Sequence, residues 1–363
     1  MFNSQSYGKW REQLTQLIPD NCGSRLTNLT WLIVGIFVSQ SVYLSVMARK
    51  IPIRAKKLSI ARRLERFVDN ESVQVEEWYQ SWVNWLLSSA GSGGTIHLVI
   101  DTTKVSAHCR LIMIAVAYQR RTLPIIWDWV DHPRGHCTAD AQVCLLKRLK
   151  RLLPSGVRVS LVGDSEFGSV KVLNVMKKWR WDYALRQKGR TLFRPAHQRQ
   201  WQRLDATPIQ PGQCLWFGQV CLTQNQRCRT HLVMYWKSGE KEPWYLATNQ
   251  LSGFPTVRLY NRRMWIEEMF GDMKGHGFDL ELSRLRTSDR LSRLTLAVSI
   301  LYVWLVTMGE YVLAHDLSGE VDRNDRQDLS IFRLGWDWLE RRFTLDDPIP
   351  ILFHPTFCLV SGY

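Results

Sequence analysis

Apolar and polar positions along the chain fall into distinct regimes. Up to about residue 90 the spacing is helical. Leu26 to Lys50 is apolar with few breakers and is stopped by Pro52. KKLSIARRLERFV (56–68) then resumes, with Leu58, Ala61, Leu64 and Phe67/Val68 on one face. From residue 96 the pattern becomes that of short buried strands. IHLVID (96–101), RLIMIAVAY (110–118) and LPIIWDWV (123–130) are three strand candidates. AQVCLLKRLKRLL (141–153) has helical period, VRVSLVGD (157–164) is a strand, VKVLNVMKKWRW (170–181) a helix and DYALRQK (182–188) a strand. SSAGSGGT (88–95) separates the two regimes and predicts a flexible linker and domain boundary.

Past residue 190 the rhythm breaks. QCLWFGQVCLT (213–223) and HLVMYW (231–236) predict a β-rich insertion over about 190–242, and PWYLATN (243–249) a further strand. One helix is predicted over 256–275. Residues 276–363 read as mainly helical, then loop-rich around Pro348, Pro350 and Pro355. The predicted organisation is therefore a helical domain over 1–90, an α/β core over 93–275 and a C-terminal region over 276–363. Three strands, helix, strand, helix, strand is by analogy the order of a ribonuclease H-like mixed sheet.

Charge narrows the function. Against 33 Asp and Glu stand 48 Lys and Arg, a formal net charge of +15, which points to a polyanionic partner, either nucleic acid or an anionic membrane surface. Lys56, Lys57, Arg62, Arg63 and Arg66 lie mostly off the apolar face of their helix. This suits a DNA groove or phosphate backbone, or else a solvated helix face. The 17 Trp suit base stacking as well as a core. Two apolar runs, Trp31–Val38 and Leu294–Gly309, fall short of the ~20 residues of a membrane span and read as buried helices. MFNSQSYGKWREQ at the start has no apolar signal core, so a cytoplasmic location is expected. The eight Cys form no C-x-x-C pair. Cys214, Cys221 and Cys228 with His231 could hold zinc, but buried thiols in a β-rich region are the stronger reading.

Two acids stand out because Asp101 and Asp164 each end a strongly apolar strand. Carboxylates at neighbouring strand ends can share divalent ions, although one such Asp alone more often caps the next element. The helix over 256–275 carries Tyr260, Arg263, Glu267 and Lys274. At ~100° per residue all four fall in a sector of about 60°, an acid flanked by phosphate-binding groups. Glu268 and Asp272 are competing acids on the same helix.

YNRRMWIEEMFGDMK (260–274) is the pattern Y-x₂-R-x₃-E-x₆-K. It resembles the signature of the DDE transposases of the insertion-sequence four group, the bacterial cut-and-paste elements. Asp101 in VIDTT and Asp164 in VGDSEFG resemble that family's two aspartates, WYLATN and GFDLELSRLR (277–286) also look similar, and the likeness covers roughly residues 25–310. Ser165 stands where relatives often have Arg.

The resemblance implies a ribonuclease H-like core with a β-insertion and an all-α DNA-binding domain before it. It implies two Mg²⁺, replaceable by Mn²⁺, held by catalytic Asp101, Asp164 and Glu267. It assigns DNA phosphates and an extruded nucleotide to Tyr260, Arg263 and Lys274. A stacking role goes to Trp244, with Trp216 and Trp236 as weaker choices. Terminal inverted repeats would be read by the N-terminal domain through Lys56, Lys57, Arg62 and Arg63. A homodimer would cleave transposon ends through hairpins and join them to target DNA, with the region after about 310 helping to dimerise. Two rival readings are a ribonuclease H-fold nuclease without strand transfer and a domesticated, non-catalytic DNA-binding regulator. The first needs no hairpin apparatus, and the second would be expected to lose its acids.

Overall fold

The structure is a computed structural model that describes residues 4–19, 22–105, 109–131, 137–323 and 328–357. Cys358 lies outside these. Five helices come first: α1 (Ser4–Leu17), α2 (Gly23–Ser39), α3 (Leu44–Lys50), α4 (Lys57–Asp69) and α5 (Val75–Gly91). The continuous helix expected over 26–50 is broken. Gln40 takes a left-handed conformation (φ 51°), and α3 leaves α2 at 86°. The break is held from outside the segment, since the Val42 N–H donates to the Phe278 carbonyl at 2.9 Å. On α4 the apolar face is Ile60, Ala61, Leu64, Phe67 and Val68. Leu58, expected on that face, is 71% exposed. It lies in the first turn, where no other element covers it.

The predicted linker is also different. Ser88 to Gly91 form the last turn of α5, and only three residues separate it from the first strand. That helix packs on the sheet that follows.

The strands are β1 (Thr95–Lys104), β2 (Cys109–Tyr118), β3 (Arg121–Asp131), β4 (Arg158–Gly163), β5 (Asp182–Arg186), β6 (Leu192–Pro195), β7 (Gln202–Arg203), β8 (Cys214–Leu222), β9 (Cys228–Tyr235) and β10 (Trp244–Thr248). Helices α6 (Ala139–Leu152) and α7 (Val170–Trp179) carry the chain between β3, β4 and β5. One mixed sheet holds all ten in the order β3-β2-β1-β4-β5-β10-β9-β8-β6-β7. β1 is antiparallel to β2 and parallel to β4, and β4 is parallel to β5. The insertion is therefore not a separate module. β10 pairs antiparallel with both β5 and β9, so β6–β9 extend the core sheet at its edge.

After β10 come α8 (Gly253–Asn261), α9 (Met264–Met273), α10 (Ser288–Ala314) and α11 (Ile331–Leu345). α10 is long and apolar enough to cross a membrane, but 83% of its most apolar window is buried inside the protein. It packs on β3, α2, α4, α5 and α11. Trp304 at its centre meets Trp10 edge-on at 4.3 Å. Five of the tryptophans (Trp10, Trp82, Trp304, Trp336 and Trp338) are among the largest fully buried side chains. Much of the Trp content is thus core rather than a stacking platform.

α10 and α11 cross on two glycines. A Cβ on Gly335 would collide with the Leu305 carbonyl oxygen, and one on Gly309 with that of Ile331. Backbone cannot yield as a flexible side chain does. Gly335→Ala is therefore expected to cost about 2 kcal/mol in chemical denaturation. Gly275→Ala, which meets open space, should leave the midpoint almost unchanged. Equal midpoints for the two variants would refute the close crossing.

Candidate active site

β1 and β4 lie side by side and parallel, with Ile100 level with Gly163. The next residue on each strand is Asp101 and Asp164, so the two carboxylates arise at neighbouring strand ends. The apolar residues before them are buried, which pins both ends to the core. Asp101 is 4% exposed. The Thr102 N–H donates to Asp101 Oδ1 and the Glu166 N–H to Asp164 Oδ1, each at 2.8 Å.

The third acid comes from α9. The single helix expected over 256–275 is two helices, with a tightened turn at Arg262–Arg263. There the Arg263 N–H donates to Tyr260 O, and Trp265 N–H to Arg262 O, in three-residue steps. Despite the break, Arg263 and Glu267 stay on one face. Arg263 Nη2 lies 3.0 Å from Asp101 Oδ2 and its Nη1 2.5 Å from Glu267 Oε1. Lys274 caps the end of α9, donating to the Lys104 carbonyl at 2.6 Å and pairing with Glu281 at 2.8 Å. Asp101, Asp164, Glu267, Arg263 and Lys274 all line one cleft of about 500 Å³.

The competing acids point elsewhere. Asp272 is buried, bonded to Arg121 Nε at 2.8 Å and Tyr302 Oη at 3.4 Å. Glu268 lies 3.5 Å from the same arginine. Neither lines the cleft.

Burial pushes the Asp101 carboxyl up to about 7, and the neighbouring Asp164 and Glu267 add to this while Arg263 opposes it. Burial alone would lower the Arg263 guanidinium, but the charges of Asp101 and Glu267 outweigh it and hold it above its usual value. Among the described residues no three His, Cys, Asp or Glu side chains enclose an ion. The three acids expected to form a metal site thus share a cleft without closing into a cage. With like charges repelling, Arg263 occupies the space between two of them. The donor set is nevertheless hard oxygen, which suits Mg²⁺.

Tyr260 and Trp244 are not open to the cleft. Tyr260 is 2% and Trp244 8% exposed. Their rings meet edge-on at 5.0 Å, and Trp244 also meets Tyr235 at 5.7 Å. Tyr260 still feels Arg263, Arg186, Asp164 and Asp101, although burial dominates and pushes its phenol up to about 12. Contact of either ring with a nucleotide therefore requires it to be uncovered. Trp216 is 38% exposed and lies edge-on to His231. Trp236 donates its ring N–H to the Glu240 carbonyl at 2.9 Å. Lys56, just before α4, and Lys57, Arg62 and Arg63 on it are exposed and do not line the cleft.

Cys214, Cys221 and Cys228 lie on the β8–β9 hairpin. Cys228 is buried beside Lys177, and His231 Nδ1 faces the Gln250 carbonyl at 2.8 Å. Sequence reasoning passed over three charged residues that line the cleft: Arg110, Glu166 and Lys188. Lys188 lies just past β5, so the strand-end rule that selected the aspartates could have found it.

Paired carboxylates at the ends of adjacent parallel strands, bordered by fixed Arg and Lys side chains, define an α/β enzyme site suited to chemistry at a phosphate ester. The chain belongs to the transposase DDE domain family, whose model matches residues 93–304. That makes it a DNA-cleaving or strand-transferring enzyme of a kind that generally depends on divalent metal. No curated protein matches the chain. Among solved structures it is similar to the piggyBac transposase synaptic complex with hairpin DNA, at 10% identity and a TM-score of 0.42, over 96% of this chain and 81% of that one.

Proposed function

We propose that this chain is a cut-and-paste transposase of the insertion-sequence four type. It would cleave transposon ends through a hairpin and join them to target DNA. The observation that carries the reading is the cleft in which Asp101, Asp164 and Glu267 meet Arg263 and Lys274. Family membership supports the same class of chemistry. The sheet order β3-β2-β1-β4-β5, with β1, β4 and β5 parallel, supports a ribonuclease H-like core.

In this reading Asp101, Asp164 and Glu267 hold two Mg²⁺, with Mn²⁺ able to substitute. Bound there, the metal would supply Lewis-acid activation of the attacking oxygen and charge stabilisation at the leaving oxygen. Arg263 would release Glu267 and turn its guanidinium to the DNA phosphate, while Lys274 holds the backbone beside it. Tyr260 would bind a phosphate of the extruded nucleotide through its hydroxyl and Trp244 would stack the base, both after uncovering. Lys56, Lys57, Arg62 and Arg63, all exposed, would contact the terminal inverted repeat. Two copies would act on paired ends.

The test is incubation with DNA carrying the sequences that flank the coding region, with Mg²⁺. Hairpin-ended fragments are expected. Cleavage without hairpins would leave a nuclease, and binding without cleavage a regulator.

A further inference from the structure

Glu166 joins three segments at the cleft. One carboxylate oxygen accepts from Thr102 Oγ1 at 2.8 Å, and the other from the Cys137 N–H at 2.6 Å. Its own N–H donates to Asp164 Oδ1 at 2.8 Å. Its carbonyl accepts from Gln142 Nε2 at 3.2 Å, and the same amide donates to the Cys137 carbonyl at 3.3 Å. Thr102 is in turn the residue whose N–H holds Asp101 Oδ1 at 2.8 Å. A single side chain thus ties the end of β1 to the end of β4 and to the start of α6. Asp164 accepts directly from the Glu166 N–H, and Asp101 is reached through Thr102 in two hydrogen bonds.

We infer that Glu166 is a positioning residue that sets the spacing of the Asp101 and Asp164 carboxylates. It acts through Thr102 and the backbone rather than as a metal ligand. Carboxylates that share a cation must sit at a defined separation, and Glu166 spans the two strand ends through its bonds to Thr102 and Asp164. Both oxygens of Glu166 are already taken by N–H and O–H donors. That is how an outer carboxylate orients the ligands inside it, and loss of such a partner typically costs 10–100-fold in metal affinity or activity. The inference rests on the proposed metal-dependent chemistry.

The test separates geometry from charge. Gln keeps an oxygen for the Cys137 N–H and an amide that Thr102 Oγ1 can accept from. Glu166→Gln is expected to stay within about 3-fold of wild type, and Glu166→Ala to weaken Mn²⁺ binding by 10–100-fold. Binding is read by electron paramagnetic resonance titration of the full chain, and end cleavage is followed in parallel. Thr102→Val should give the same loss, and the double variant should lose no more than either single one, as for two residues in one network. Circular dichroism establishes that each variant is folded. Loss in Glu166→Gln equal to that in Glu166→Ala would overturn the inference and make the residue a ligand. Wild-type Mn²⁺ affinity in both Glu166→Ala and Thr102→Val would overturn it as a structural contact only. A wild-type chain that neither binds Mn²⁺ nor cleaves overturns the underlying reading, and this inference with it.

Discussion

Asp101→Ala, Asp164→Ala and Glu267→Ala are each expected to lower end cleavage by 10³-fold or more while end-DNA binding stays within a few-fold. Loss of one carboxylate removes charge stabilisation that matters most at the transition state, a cost of several kcal/mol, and each 1.4 kcal/mol is a factor of ten. Binding is expected to rest instead on phosphate contacts spread over the basic surface. Glu267 is distinguished from its neighbours by direction. It shares Arg263 with Asp101, whereas Asp272 is bonded to Arg121 and Tyr302 and Glu268 lies near Arg121 outside the cleft. Glu268→Ala should therefore cleave at near the wild-type rate. Gel assays of nicked and hairpin products, beside mobility shifts, check both halves. An active Glu267→Ala with a dead Glu268→Ala would place the catalytic acid one residue later.

The second expected result concerns stability. In metal-free buffer at pH 8, Asp101→Asn should be more stable than wild type by about 4 kcal/mol, although it should not cleave. The Asp101 carboxyl is pushed up to about 7, chiefly by burial and further by Asp164 and Glu267. A carboxyl raised in the folded state favours folding in its protonated form. Its contribution is fully present below the unfolded value near 4 and is lost as pH rises through about 7. The loss at pH 8 is about 4 kcal/mol at 1.36 kcal/mol per unit. That figure is already net of the 3.0 Å ion pair with Arg263, which holds the carboxyl down, and Asn escapes the whole of it. At pH 4 the two proteins should melt together. Mg²⁺ at pH 8 should raise the wild-type midpoint more than that of Asp101→Asn, which keeps Asp164 and Glu267 but has lost one of the three carboxylates that attract the cation. A wild-type stability that does not fall between pH 4 and 8 relative to the variant would show that Asp101 is not charge-strained.

The sequence by itself determined the strands and helices of the core, because period and β-former content report which face of a local element is buried. It also determined that Asp101 and Asp164 close apolar strands, and that Arg263 and Glu267 share a face. Those residues lie four apart, within a single turn, so the nearby break in the helix does not separate them. Tertiary structure decided the rest. Whether β6–β9 stand apart or extend the core sheet depends on β10 pairing at both its edges. The break after α2 depends on a carbonyl at Phe278. Tyr260 and Trp244 carry the right chemistry at the right spacing, yet they pack against each other. No local pattern says what covers an aromatic ring. Asp272 was ruled out of the cleft by Arg121, 151 residues away, and Glu166 gained its place from Thr102, 64 residues away. Such partners are chosen by the pairing of distant segments, and spacing along the chain carries no record of them.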